Sequence, residues 1–189
     1  CTPYNRVEAL DPATGRTLWS YDPKKPLTGN MYKQNYCRGV SYWQVEDKAE
    51  RAKECGKRIF FATQNAVLLS LDADSGKPCA SFGNGGRINL AALDYKGVGQ
   101  VANTSPPAIY KNIVIVGGAV RDNHERDSLD GIVRGFDAVS GKQLWAWNPI
   151  PANISDVTGA ANTWAPISVD TRNGFVFLPT GSASYDAYG

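Results

Sequence analysis

The stretch Ala9-Leu10-Asp11-Pro12-Ala13-Thr14-Gly15-Arg16-Thr17-Leu18-Trp19 returns without gaps as Ser70-Leu71-Asp72-Ala73-Asp74-Ser75-Gly76-Lys77-Pro78-Cys79-Ala80. It returns again as Gly135-Phe136-Asp137-Ala138-Val139-Ser140-Gly141-Lys142-Gln143-Leu144-Trp145. The common unit is x-x-Asp-x-x-Ser/Thr-Gly-Lys/Arg, and its glycines lie 61 and 65 residues apart. An apolar run ends at the Asp, the Asp-x-x-Ser/Thr-Gly tetrad turns the chain with Gly supplying a positive φ, and a second short strand follows. Each copy therefore reads as a β-hairpin. A period above 60 residues is too long for leucine-rich or ankyrin repeats and suits a four-stranded unit with long loops.

Two further β-rich runs precede each complete hairpin: residues 38–43 and 58–63 before the second copy, and 107–110 and 113–116 before the third. Four strands in meander order are the sheet module of a β-propeller blade. On this reading residues 1–23 end one blade, 37–83 and 104–147 are full blades, and 164–189 start a further blade. The fold class is all-β, with one short helical insertion in the charged stretch 46–54, which is rich in helix formers. Fewer than four blades cannot close a ring. The chain opens on Cys1-Thr2-Pro3 without an initiator Met and stops inside a patterned segment, so it reads as an internal piece of a larger propeller.

Composition narrows the function. Of the 189 residues, 42% are hydrophobic and 20% charged, and the formal net charge is +2, with basic residues scattered along the chain. No electrostatic footprint for nucleic acid is present. The single histidine, His124, leaves no His pair for a catalytic zinc and weakens any nucleophile–His reading. No apolar run approaches the roughly 18 residues needed to span a bilayer. Gly97-Val98-Gly99-Gln100-Val101-Ala102 matches a dinucleotide fingerprint in letters only, since no helix pattern follows and Pro106-Pro107 comes soon after. The four cysteines, Cys1, Cys37, Cys55 and Cys79, lack metal-site spacing. They fit disulfides in an oxidising compartment, or else four buried thiols. A Cys37–Cys55 bridge across the helical insertion is the pairing expected.

The repeat resembles the tryptophan-docking motif, Ala-x-Asp-x-x-Thr-Gly-Lys-x-x-Trp, of quinoprotein dehydrogenases, which are eight-bladed propellers that bind pyrroloquinoline quinone (PQQ). The first copy departs from it only by Arg16 for Lys. Between the copies stand Cys37-Arg38-Gly39-Val40-Ser41-Tyr42-Trp43, Thr104-Ser105-Pro106-Pro107, Arg121-Asp122-Asn123 and Asn162-Thr163-Trp164-Ala165-Pro166. Their order and spacing resemble the membrane-bound PQQ glucose dehydrogenases and the related quinate and polyol enzymes, over nearly the whole chain.

That resemblance implies a set of roles. PQQ is a flat tricyclic quinone with three carboxylates, so its site needs an aromatic floor and cationic or hydroxyl partners. Trp164 corresponds to the floor, Arg38 to the arginine at the quinone edge, and Thr104 and Ser184 to cofactor-contacting hydroxyls. Asp122 and Asn123 match the pair assigned to a hard cation, Ca²⁺ or Mg²⁺. Ser182 stands where the alcohol-dehydrogenase branch has Asn, which favours the glucose-like branch, and Tyr185 replaces a usual Pro. The general base, an Asp in a His-x-x-Trp-Asp segment, is absent here and is expected downstream of Gly189.

The implied activity is oxidation of glucose or a similar sugar or polyol, with electrons passed to ubiquinone. The implied location is the periplasmic face of the bacterial inner membrane, with membrane attachment through a region outside this chain. The alternative is a non-catalytic propeller scaffold with similar turns. Trp19 and Trp145 are expected between adjacent blades, each near the Gly of a neighbouring tetrad, with Ala80 filling that place poorly in the middle copy.

Overall fold

The fold is built from the repeated turn outward. Asp11 Oδ1 accepts from the backbone N–H of Ala13 and Thr14 and from Thr14 Oγ1, at 3.0, 2.8 and 2.8 Å. Asp72 does the same with Asp74 and Ser75, and Asp137 with Val139 and Ser140. Each carboxylate thus satisfies donors that a tight turn cannot pair within its own backbone. Gly15, Gly76 and Gly141 close the turns at φ 71, 72 and 74°, a left-handed conformation that costs an L-residue about 1 kcal/mol or more.

The computed structural model of the chain describes residues 1–23, 36–95, 100–121 and 126–185. Strands β1 (Val7–Leu10) and β2 (Thr17–Tyr21) flank the first turn as an antiparallel pair. A four-stranded antiparallel sheet follows in the order β3 (Ser41–Gln44), β4 (Lys57–Ala62), β5 (Val67–Asp72) and β6 (Arg87–Asn89). A two-stranded pair joins β7 (Val101–Ala102) to β10 (Ala119–Val120). The second four-stranded sheet runs β8 (Ala108–Tyr110), β9 (Ile113–Val116), β11 (Val133–Asp137) and β12 (Gln143–Trp147). Strands β13 (Ser168–Asp170) and β14 (Phe175–Phe177) form a last hairpin. The inserted helix α1 (Lys48–Arg51) is a single turn between β3 and β4, capped by Asp47, which accepts from Ala49 N and Glu50 N. No described helix is long and apolar enough to cross a membrane.

Strand periodicity shows how the sheets stack. Phe60, Ala62 and Leu68 point to one side of the first sheet and share a core with Val114, Val116 and Phe136 of the second. Their neighbours Phe61, Leu69 and Leu71 point to the other side, where Val7, Trp19 and Tyr21 of the first hairpin pack. Ile115 and Val133, on the far face of the second sheet, meet Val169 and Val176 of the last hairpin. Both faces of each full sheet are therefore covered by neighbouring sheets, the layering expected of successive blades.

Polar ties reinforce the stack. Buried Arg58 donates to Ala138 O and Val139 O of the third tetrad at 3.0 and 2.9 Å, and also to Cys55 O and Ser81 Oγ. Trp43 Nε1 donates to Lys111 O. Trp19 donates from Nε1 to Ala73 O at 3.0 Å, and a Cβ on Gly76 would stand 2.5 Å from its Cε3.

Three expectations need correction. All four cysteines are paired, but as Cys1–Cys37 and Cys55–Cys79, with Cα separations of 6.0 and 5.8 Å. The expected Cys37–Cys55 bridge does not form because β3 runs between the two. Cys37 precedes one end of that strand, whereas Cys55 lies past its other end, where its N–H donates to Asp72. In the middle copy the strand after the tetrad is not residues 77–80. Cys79 is fully buried, and the outer strand forms only at β6. Ile88, and not Ala80, then meets the neighbouring tetrad, with its Cδ1 3.2 Å from where a Gly141 Cβ would lie. Trp145 packs over Gly135 of its own sheet and joins the core shared with the last hairpin.

Candidate functional site

Three of the side chains singled out in the sequence meet at one place. Arg38 lies just before β3, Thr104 just before β8 and Trp164 just before β13, so three successive sheets each contribute the residue that leads into their first strand. The Arg38 guanidinium is 5.5 Å from the centroid of the Trp164 ring and 5.4 Å from that of Tyr36, both within cation–π range. Its Nη1 donates to Thr104 O at 3.2 Å. Arg38 is exposed, and no carboxylate pairs with it among the described residues.

Trp164 is 46% exposed while its backbone is fixed. Its carbonyl accepts from Thr104 Oγ1 at 3.1 Å and from Ser105 Oγ at 2.7 Å. The preceding residues are seated deeply: Asn162, almost fully buried, donates from Nδ2 to Val120 O and accepts at its carbonyl from Gly181 N. Glycines permit this close approach, since a Cβ on Gly117 would collide with Thr163, and one on Gly131 with the Asn162 backbone. The ring is thus presented from a rigid base, with the Arg38 guanidinium beside it.

The hydroxyl of Thr104 is spent on the Trp164 carbonyl, so within this arrangement Thr104 holds the aromatic ring in place. Ser184 lies apart from the cluster. It is buried, its Oγ shares a 2.7 Å hydrogen bond with Ser128 Oγ, and its carbonyl accepts from Thr158 Oγ1. Asp122 and Asn123 fall outside the described residues, and among the described residues no group of three His, Cys, Asp or Glu side chains could hold a metal. Sequence reasoning missed two members of the site. Ser105 was legible as the residue next to Thr104, whereas Tyr36 carried no signal. A larger cavity of about 420 Å³, lined in part by Asn5, Tyr21, Asn65 and Arg87, sits between the first hairpin and the first full sheet and includes none of the cluster.

The donor set fits a flat, polycarboxylated aromatic molecule. An exposed indole face provides stacking area, and the guanidinium beside it, without a carboxylate partner among the described residues, can bind a carboxylate in a fork geometry. A neutral apolar ligand would make no use of that charge.

Known proteins agree with this fold. The chain is 35% identical to the quinoprotein glucose dehydrogenase of Escherichia coli, covering 100% of this chain and 25% of that protein. It is 34% identical to the glycerol dehydrogenase large subunit of Gluconobacter oxydans and 30% identical to the quinate/shikimate dehydrogenase (quinone) of Acinetobacter baylyi, covering 100% of this chain and 26% of each. The chain therefore spans about a quarter of the length of the curated relatives it matches. Among solved structures, quinohemoprotein alcohol dehydrogenase from Comamonas testosteroni superimposes with a TM-score of 0.73 at 20% identity, over 96% of this chain and 27% of that one. Residues 1–189 match in full the family described as "PQQ: Glucose/ethanol/alcohol dehydrogenase, beta-propeller domain", and to that family the chain belongs.

Proposed function

We propose that this chain carries part of the cofactor floor of an eight-bladed, PQQ-dependent dehydrogenase that oxidises glucose or a similar sugar or polyol. The observation that carries this reading is the convergence of Arg38, Thr104 and Trp164 from three successive sheets. When bound, PQQ supplies the two-electron acceptor. Trp164 offers the stacking face, Arg38 pairs with a carboxylate or quinone oxygen, and Thr104 with Ser105 locks the ring's backbone so that the face is set before the cofactor arrives. The reading places Ca²⁺ or Mg²⁺ at Asp122 and Asn123, because carboxylate and amide oxygens suit a hard cation. It places the proton-accepting Asp downstream of Gly189 and ubiquinone as the onward electron acceptor.

The names of the relatives, spanning glucose, glycerol and quinate, support the substrate class. Both disulfides support an oxidising compartment such as the periplasm. Against a protein-binding scaffold stands the match of residues 1–189 to a dehydrogenase propeller family. The test is dye reduction by the complete protein loaded with PQQ and Ca²⁺ or Mg²⁺, against glucose, glycerol and quinate. PQQ-dependent turnover of a sugar or polyol is expected, and turnover of none of the three would overturn the reading.

A further inference from the structure

We propose that the Cys1–Cys37 disulfide is a positioning element for the cofactor site, acting through Arg38. The inference rests on the function proposed above and deepens it. Cys37 is the residue before Arg38, and residues 36–40 carry no strand pairing, which begins only at Ser41. A backbone outside the ladder is held by individual ties. On one side these ties are polar or steric: Gln64 Nε2 donates to Tyr36 O at 2.5 Å, Ser41 Oγ donates to Pro107 O, and Gly39 faces Pro106. On the other side stands the covalent bond to Cys1, which precedes the first hairpin, 36 residues away in sequence. The bridge fixes the Cα position next to Arg38 whatever path the intervening chain takes.

The consequence is at the guanidinium. Among the described residues its contacts are one hydrogen bond to Thr104 O and two ring faces, each sensitive to shifts of well under 1 Å. Cys37 itself packs, partly buried, against the core that includes Val7 and Phe61, so releasing the bridge also frees a residue that this core helps to seat. The second disulfide has a different address. Cys55 and Cys79 lie by the Asp72 tetrad, where Cys55 N–H donates to Asp72 Oδ2, and Cys79 is fully buried. Within this chain Cys1 is exposed, whereas Cys79 is fully buried.

The experiment is titration of PQQ onto the apoprotein of the complete dehydrogenase, read by tryptophan fluorescence quenching, beside the urea midpoint of each variant. Removing the first bridge (Cys1→Ser with Cys37→Ser) is expected to raise the PQQ Kd about tenfold. Removing the second (Cys55→Ser with Cys79→Ser) is expected to lower the urea midpoint with the Kd within about twofold of wild type. Arg38→Ala weakens PQQ binding on its own, and on that background loss of the first bridge has no further effect, because the bridge acts through a residue no longer there. Fully additive effects, or an unchanged Kd without the first bridge, would overturn the inference while leaving the site reading intact. An unchanged Kd in Arg38→Ala would overturn the site reading itself. If the serine variants do not fold, mild reduction and alkylation of Cys1 and Cys37 in the folded wild-type apoprotein gives the same comparison.

Discussion

Replacing Gly76 with Ala separates the packing role of the repeated turn from its backbone role, because Gly15 provides a matched comparison. The two glycines occupy the same place in the same tetrad, at φ 72 and 71°. Forcing a Cβ into that conformation costs about 1 kcal/mol at either position. At Gly15 nothing lies within 4 Å of the added carbon, so that is the whole effect. At Gly76 the carbon would stand 2.5 Å from Trp19 Cε3 and 2.8 Å from Cδ2, and the indole must move. Moving it breaks the 3.0 Å bond to Ala73 O, worth about 1 kcal/mol. It also withdraws the ring from its partly buried place against Phe61 and Leu71, worth another 1 kcal/mol or so. The expected losses are therefore about 1 kcal/mol for Gly15→Ala and about 3 kcal/mol for Gly76→Ala, read from urea midpoints at constant m-value. Equal losses within about 0.5 kcal/mol would show that Trp19 does not tie the first hairpin to the next sheet.

Asp72→Asn replaces one of two acceptor oxygens with a donor, whereas Asp72 accepts from Asp74 N, Ser75 N and Ser75 Oγ on one oxygen and Cys55 N on the other. The expected loss is about 1–3 kcal/mol in urea unfolding, and no loss would mean that the carboxylate is dispensable. Burial raises the Asp72 and Asp137 carboxyls, but hydrogen bonds from the Ser75 and Ser140 hydroxyls and from backbone N–H groups outweigh it and leave both below their ordinary value of 3.8. A depressed folded pKa contributes stability above the unfolded value that is lost as pH falls through the folded one. The urea midpoint should therefore drop below about pH 4, and less steeply in Asp72→Asn. The 189-residue chain alone, given PQQ and Ca²⁺ or Mg²⁺, should reduce no dye with any sugar. Turnover within about tenfold of the complete enzyme would place the base among the residues in hand, with Asp122 and Asp186 first.

The repeat made the hairpins and the face-to-face layering legible, because a tetrad turn is local chemistry: an Asp side chain, a hydroxyl and a glycine within five residues. The β-rich run 58–63 was likewise legible as a strand. What escaped was set by distance or by insertion. Cys55 pairs with Cys79 because both sit at the tetrad end of the first full sheet, a fact invisible until β3 is seen to separate Cys37 from Cys55. The outer strand moved from 77–80 to β6 because Cys79 is drawn into the core, so Ile88 takes the place that spacing assigned to Ala80. The site was legible through family motifs alone. Arg38 is 66 residues from Thr104, and Thr104 is 60 from Trp164, and no local pattern joins them. The commitment of the Thr104 hydroxyl to the Trp164 carbonyl is likewise a tertiary fact.

The most direct test of the account is the affinity of PQQ for the complete apoprotein with and without the Trp164 ring. Isothermal titration of wild type and Trp164→Ala, at fixed Ca²⁺ or Mg²⁺, reads the stacking contribution without requiring turnover. Loss of an indole face and its buried area should weaken binding by at least about tenfold, or roughly 1.4 kcal/mol. A Kd within about twofold of wild type would contradict the claim that Arg38, Thr104 and Trp164 form the floor on which the cofactor rests.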